Sequence, residues 1–155
     1  MNINKSLFHI IIFPILFFVS PTFAKTVKFK YTSRLANQGE IDAQNDLGWM
    51  YENGQGVVQN YEKAFEWYSK AAAQGDLDAQ NNLGWMYQHG QGVIQNYEKA
   101  FEWYVKAAAQ DNAVAQTNLG SMYQNGQGVV QNYEKAFKLY SKAAAQGFLD
   151  AQYYL

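Results

Sequence analysis

Residues 54–74 read GQGVVQNYEKAFEWYSKAAAQ, and the string returns at 90–110 with only Val58 exchanged for Ile94 and Ser69 for Val105. It returns again at 126–146, where Lys138 stands in the place of Glu66 and Leu139 in that of Trp67. The preceding segments AQNDLGWMYEN, AQNNLGWMYQH and AQTNLGSMYQN keep step, so Gly54, Gly90 and Gly126 mark a period of 36 residues. A fixed period of this length identifies a unit that cannot bury its own apolar face and buries it against its neighbours instead. The chain therefore reads as all-α, a curved rod of stacked helix-turn-helix units.

Within each unit, apolar residues fall at helical spacing on either side of a glycine pair. Helix A is expected from Ala43 to Asn53, with Ala43, Leu47, Met50 and Tyr51 facing inward and Gly48 beside them, where a missing side chain lets the partner helix approach. Gly54 is placed to end it in the left-handed conformation that a Cβ penalises, Gly56 to turn the loop, and Asn60 to N-cap helix B. Along helix B, Ala64, Trp67, Tyr68, Ala71 and Ala72 alternate bulk with methyls so that neighbours interlock. Gly75 stops this helix and Asp78 is expected to cap the next. Asp111 and Val114 hold those two places at the second junction, which predicts a weaker cap there. The units are framed as 43–78, 79–114 and 115–150. Tyr31 to Gly39 aligns with the last turns of helix B, so 25–42 reads as an N-terminal capping half-repeat and 151–155 as the truncated start of a fourth unit.

The pattern A-Q-x-x-L-G-x-M-Y-x-x-G-x-G-V…K-A…W-Y-x-K-A-A-x-Q-G resembles the Sel-1-like repeat (SLR) family, relatives of tetratricopeptide repeats, over everything after about residue 28. The resemblance implies a right-handed α/α superhelix, an α-solenoid used as an adaptor or scaffold in protein complexes. Such proteins occur in eukaryotic quality-control assemblies and among bacterial secreted or envelope proteins. The chain departs from the family's cysteine-rich secreted branch, whose repeats are each stapled by a disulfide, because it has no cysteine.

With 155 residues, 48% of them hydrophobic and 17% aromatic, the chain forms one domain with a sizeable core. The absence of cysteine excludes disulfides, thiolate catalysis and Cys-based zinc sites. A formal net charge of −1 hides an asymmetry: Lys25, Lys28, Lys30 and Arg34 cluster early, while residues after Gly39 carry 13 acids against 7 lysines. Such a surface repels phosphate, so nucleic acid is not an expected partner. Residues 1–24 read as a signal peptide: Lys5 precedes the apolar run Leu7 to Val19, and Thr22-Phe23-Ala24 offers a cleavage site. Cleavage after Ala24 would start the mature chain at Lys25. The rival reading, an uncleaved anchor, is weakened because His9 and Pro14 interrupt a run well short of the ~20 residues needed to span a bilayer. Export without cysteines points to a bacterial periplasm or exterior.

Once the leader leaves with His9, His89 is the one remaining histidine, so neither a Ser-His-Asp triad nor a histidine metal cluster can be assembled. Glu62/Glu66 and Glu98/Glu102 sit four apart, but a single active site would not appear twice. Glu66 with Lys70, Glu102 with Lys106 and Glu134 with Lys138 are instead expected to pair on a solvated face, each worth roughly 0.2–0.5 kcal/mol. The GQG loops lack the strand, and the following Lys or Ser/Thr, of a phosphate loop. No catalytic residue, cofactor or metal is expected.

One polar stripe of helix A stands out. Asn45, Trp49 and Glu52 are followed by Asn81, Trp85 and Gln88 in the second unit and Thr117, Ser121 and Gln124 in the third. If stacked A helices line the inner wall, these nine residues floor a groove carrying two tryptophans, the side chain most enriched at binding hot spots. The competing reading packs each Trp against the neighbouring unit. The expected function is an exported protein–protein interaction scaffold gripping a peptide or partner protein. A binder of cell-wall glycan or a small molecule is the alternative, and a cell-wall hydrolase a third. The third unit and the C-terminal residues Phe148 to Leu155 are expected to leave an open end that supports a weak homodimer or docks the partner by continuing the stack, the rival readings being a stub folded back as a lid or a longer array cut short.

Overall fold

The computed structural model describes residues 20–154; the expected leader lies outside them up to Val19. The described chain is a succession of helices: α1 (Pro21–Asn37), α2 (Ile41–Asn53), α3 (Tyr61–Ala73), α4 (Leu77–His89), α5 (Tyr97–Ala109), α6 (Ala113–Asn125), α7 (Tyr133–Ala145) and the short α8 (Leu149–Tyr153). Even-numbered helices are A helices, odd-numbered ones B helices. Each packs mainly on the helix before it and the helix after it, and the pairs stack into the right-handed α/α superhelix.

Local chemistry sets the punctuation. Gly54, Gly90 and Gly126 end the A helices at φ 63°, 68° and 66°, their amides donating to the carbonyls of Met50, Met86 and Met122. Two residues on, Gly92 and Gly128 lie on the first turn of the preceding B helix, and Gly56 lies on Lys25 one turn into α1. A Cβ on Gly92 would come within 2.3 Å of the Tyr61 carbonyl oxygen, and one on Gly128 within 2.4 Å of that of Tyr97. Asn60, Asn96 and Asn132 then cap α3, α5 and α7, each Oδ1 accepting from the amide three residues on at 2.8–2.9 Å.

The core follows the expected stripes. Ala64, Tyr68, Ala71 and Ala72 of α3 close on Leu83 and Met86 of α4, and Ala100, Tyr104, Ala107 and Ala108 repeat the arrangement with Leu119 and Met122. Gly48, Gly84 and Gly120 sit against the rings of Tyr68, Tyr104 and Tyr140, so close that a Cβ would lie 2.6–2.8 Å from ring carbons. Each of these tyrosines donates its hydroxyl back to the A helix: Tyr68 to Glu52 Oε2 at 2.6 Å, Tyr104 to Gln88 Oε1 at 2.8 Å and Tyr140 to Gln124 Oε1 at 2.7 Å.

Three expectations need correction. The A helices begin two residues earlier than the apolar stripe implied, and the cap is Asp76, whose Oδ1 accepts from Ala79 N at 2.6 Å, while Asp78 sits in the first turn. The second junction is capped as well, by Asn112 accepting from Ala115 N at 2.8 Å; Asp111 adopts the left-handed φ of 65° where Gly75 has 96°. Trp67 and Trp103 do interlock as expected, half-buried against the core of the preceding helix pair. Of the three expected Glu–Lys pairs, only Glu134–Lys138 forms, at 2.6 Å; Lys70 and Lys106 lie over the indoles of Trp67 and Trp103 at 3.8 and 3.9 Å. An indole three residues away takes each of these lysines from the carboxylate four residues away; at the same register Lys142 has Leu139 and Lys138 in those places and pairs with Asp111 at 2.6 Å instead.

A buried polar ladder joins the units. Gln44, Gln80 and Gln116 are buried, and each Nε2 donates to the last turn of the preceding B helix at Ala36, Ala72 or Ala108 O, 3.3–3.4 Å. Each Oε1 accepts from Gln74, Gln110 or Gln146 at 2.7–3.3 Å. No buried side-chain polar atom is left unpaired among the described residues. At the C-terminal side α8 lies on α7, with Ala151 buried and the Tyr154 ring stacked on Tyr140 at 4.9 Å.

Candidate interaction groove

The A helices are short amphipathic segments whose inward stripe is fixed by Leu47, Leu83 and Leu119 and by the close glycine–tyrosine contacts. Their opposite stripe is therefore held in a fixed orientation. Across α2, α4 and α6 it forms a shallow groove of about 420 Å³ lined by Trp49, Glu52, Asn53, Asn81, Asn82, Trp85, Val114 and Asn118. A second hollow of about 220 Å³ adjoins it and shares Val114 and Asn118, continuing past Thr117 to Phe148, Asp150, Tyr153 and Tyr154. The two make one trough with indoles at one end, asparagines in the middle and a tyrosine pair at the other.

Of the nine residues picked from sequence, Trp49, Glu52, Asn81 and Trp85 meet in the first hollow and Thr117 lines the second. Trp49 is the open one, 48% exposed. Trp85 is half-buried: it packs against the cores on both sides of α4, and its ring stacks on His89 at 4.3 Å. Asn45 and Asn81 tie the wall together, their Oδ1 atoms accepting from Asn82 Nδ2 at 3.4 Å and Asn118 Nδ2 at 3.0 Å. Thr117 is 7% exposed with its hydroxyl donating to Ala113 O, and Ser121 accepts from Asn125. Glu52, Gln88 and Gln124 hold the buried tyrosine hydroxyls. Burial pushes the Tyr68, Tyr104 and Tyr140 hydroxyls above their ordinary pKa, and the Glu52 carboxylate raises Tyr68 further.

Sequence reading missed Asn82, Asn118 and Val114, which line the trough although they flank the stripe. The recurrence of Asn at the register of Asn82 and Asn118, one residue after the chosen position, is the signal that would have found the first two. No described group of three or more His, Cys, Asp or Glu could hold a metal ion. No described helix is long and apolar enough to cross a membrane.

A comparison with curated protein sequences finds no match. Solved structures do match. A protective antigen of uropathogenic Escherichia coli displaying an SLR fold superposes with a TM-score of 0.78 at 39% identity, covering 85% of this chain, which spans only 27% of that protein. A Sel1 repeat protein from Oxalobacter formigenes gives a TM-score of 0.73 at 39% identity over 83% of this chain and 96% of that one. Cysteine-rich protein B of Helicobacter pylori gives 0.68 at 25% identity over 88% of this chain and 98% of that one. The Sel1 repeat model matches residues 41–76, 77–112 and 113–148, each match beginning at the first residue of an A helix. Three consecutive matches over most of the described helices leave one conclusion: the chain belongs to the Sel1 repeat family.

Proposed function

We propose that this chain is an exported scaffold that holds a segment of a partner protein in the trough along its A helices. Sel1-repeat proteins are in general protein-interaction scaffolds, and the fold is typically non-catalytic. The observation that carries the finer reading is the continuity of the two hollows through Val114 and Asn118, with the exposed indole of Trp49 at one end. A long, shallow, polar channel suits an extended chain better than a compact ligand. The glycan alternative draws less support, because Asn82 and Asn118 already spend amide hydrogens on Asn45 and Asn81. Export rests on the leader. Cleavage after Ala24 would begin the chain at Lys25, which lies in register with Tyr61, the first residue of a B helix.

The test is a photo-crosslinking amino acid at position 49, in the chain expressed in its own envelope, with position 58 on the A–B loop as control. A protein adduct at 49 and not at 58 supports the reading. An adduct to cell-wall glycan alone, or none at either site, overturns it. A label at Tyr153, 86% exposed on α8, tests the weak homodimer in the same experiment by yielding or not yielding a product of twice the chain's mass.

A further inference from the structure

We infer that the trough selects a partner segment carrying a lysine or arginine, seated against Trp49 with Glu52 as its counter-ion; this rests on the peptide-scaffold reading above. Charge is segregated in the solenoid. The A helices carry Asp42, Asp46, Glu52, Asp78 and Asp150 and no lysine or arginine, whereas the seven lysines after Gly39 all lie on α3, α5 and α7. Of these acids Glu52 lines the first hollow and Asp150 the second, with no cation beside them in the lining, so the trough attracts a cation and repels an acidic segment.

Glu52 is the particular residue that this field does not explain away. Its structural duty is to accept the Tyr68 hydroxyl, and Gln88 and Gln124 perform the same duty for Tyr104 and Tyr140 with a neutral amide. The charge at position 52 is thus surplus to the fold. Glu52 and Trp49 line the same hollow and both reach solvent. An exposed indole beside a partly exposed carboxylate is a receptor for a long cationic side chain, with the ring face taking the cation and methylene stem and the carboxylate taking the donors. The molecule makes the indole half of this contact twice itself, with Lys70 over Trp67 at 3.8 Å and Lys106 over Trp103 at 3.9 Å. Further along, Asn82 and Asn118 each donate one hydrogen bond to a neighbouring asparagine, and their side-chain carbonyl oxygens make no hydrogen bond among the described residues. Those oxygens are acceptors for the amides of an extended backbone.

The test uses random decapeptide display on the full chain, exported and purified, followed by fluorescence polarisation of a selected fluorescein-labelled peptide. Lysine or arginine should be enriched, and affinity should fall with added salt. Glu52→Gln and Trp49→Ser install residues that the chain already carries at the same register in Gln88 and Ser121, so both should keep the wild-type melting temperature. Glu52→Gln is expected to weaken binding roughly five- to tenfold and Trp49→Ser tenfold or more, while Glu62→Gln on α3 changes nothing. Selection of apolar or acidic peptides that bind wild type and Glu52→Gln alike would overturn the cation reading and leave the peptide scaffold standing. Failure to enrich any peptide over Trp49→Ser would remove both.

Discussion

Alanine at Gly84 sets two effects of opposite sign against each other. On an exposed helix the exchange stabilises by about 1 kcal/mol, because glycine loses more backbone freedom on folding. Here the new Cβ would lie 2.6 Å from both Cδ1 and Cε1 of Tyr104, a fully buried ring whose hydroxyl is held by Gln88 at 2.8 Å. The ring cannot retreat without straining the α4–α5 contact, a cost of about 1–3 kcal/mol for overpacking. Loss of the hydroxyl's hydrogen bond adds about 0.5–1.5 kcal/mol. The balance is a destabilisation of about 2 kcal/mol, or a fall in Tm of about 6 °C for a domain of this size. Urea and thermal unfolding of Gly84→Ala would measure it, with Gly84→Ala/Tyr104→Leu expected to lose less than the sum of its parts. A Gly84→Ala protein more stable than wild type would show that close glycine–tyrosine packing does not hold the units together.

Removing the cap with Asn112→Ala should cost about 1 kcal/mol by urea titration, as Asn96→Ala should at the α5 cap, where the bond has the same 2.8 Å length. Replacing Gln116 by Leu strands the Ala108 carbonyl and the Gln146 amide and should cost about 1–3 kcal/mol. The raised tyrosine pKa values act on alkaline stability: unfolded tyrosine ionises near pH 10 while the folded groups resist, so stability held below that pH is lost above it. Tyr104→Phe should flatten that decline in melting temperature against pH. Lys106→Met should weaken stability by about 0.5–1 kcal/mol through lost contact with Trp103, whereas Glu102→Gln should be neutral.

Period, glycine caps and B-helix N-caps were legible in the sequence because each depends on residues within one turn of one another. The buried face was legible where it is apolar. Gln44, Gln80 and Gln116 were not, because a glutamine buried by partners 8 and 30 residues away leaves no local trace. The two groove tryptophans show the same limit: Trp49 and Trp85 share a register and a motif, yet only Trp85 gains His89 beside it and core on both sides. Lys70 and Lys106 chose indole over carboxylate for a reason that spacing rules, applied one pair type at a time, do not weigh.

Because the units meet through the same residues at every joint, they are interchangeable parts. Excise residues 79–114 and join Asp78 to Ala115: Gln116 then finds the Ala72 carbonyl in place of that of Ala108, Asn118 finds Asn45 in place of Asn81, and Gly128 settles on Tyr61 in place of Tyr97. Each of these three joint contacts is replaced by its copy. Unequal recombination between such copies would lengthen or shorten the rod in steps of one unit with no damaged interface to repair. The trough would grow or shrink with it, so the length of partner segment that can be held is a quantity the gene can change in a single event.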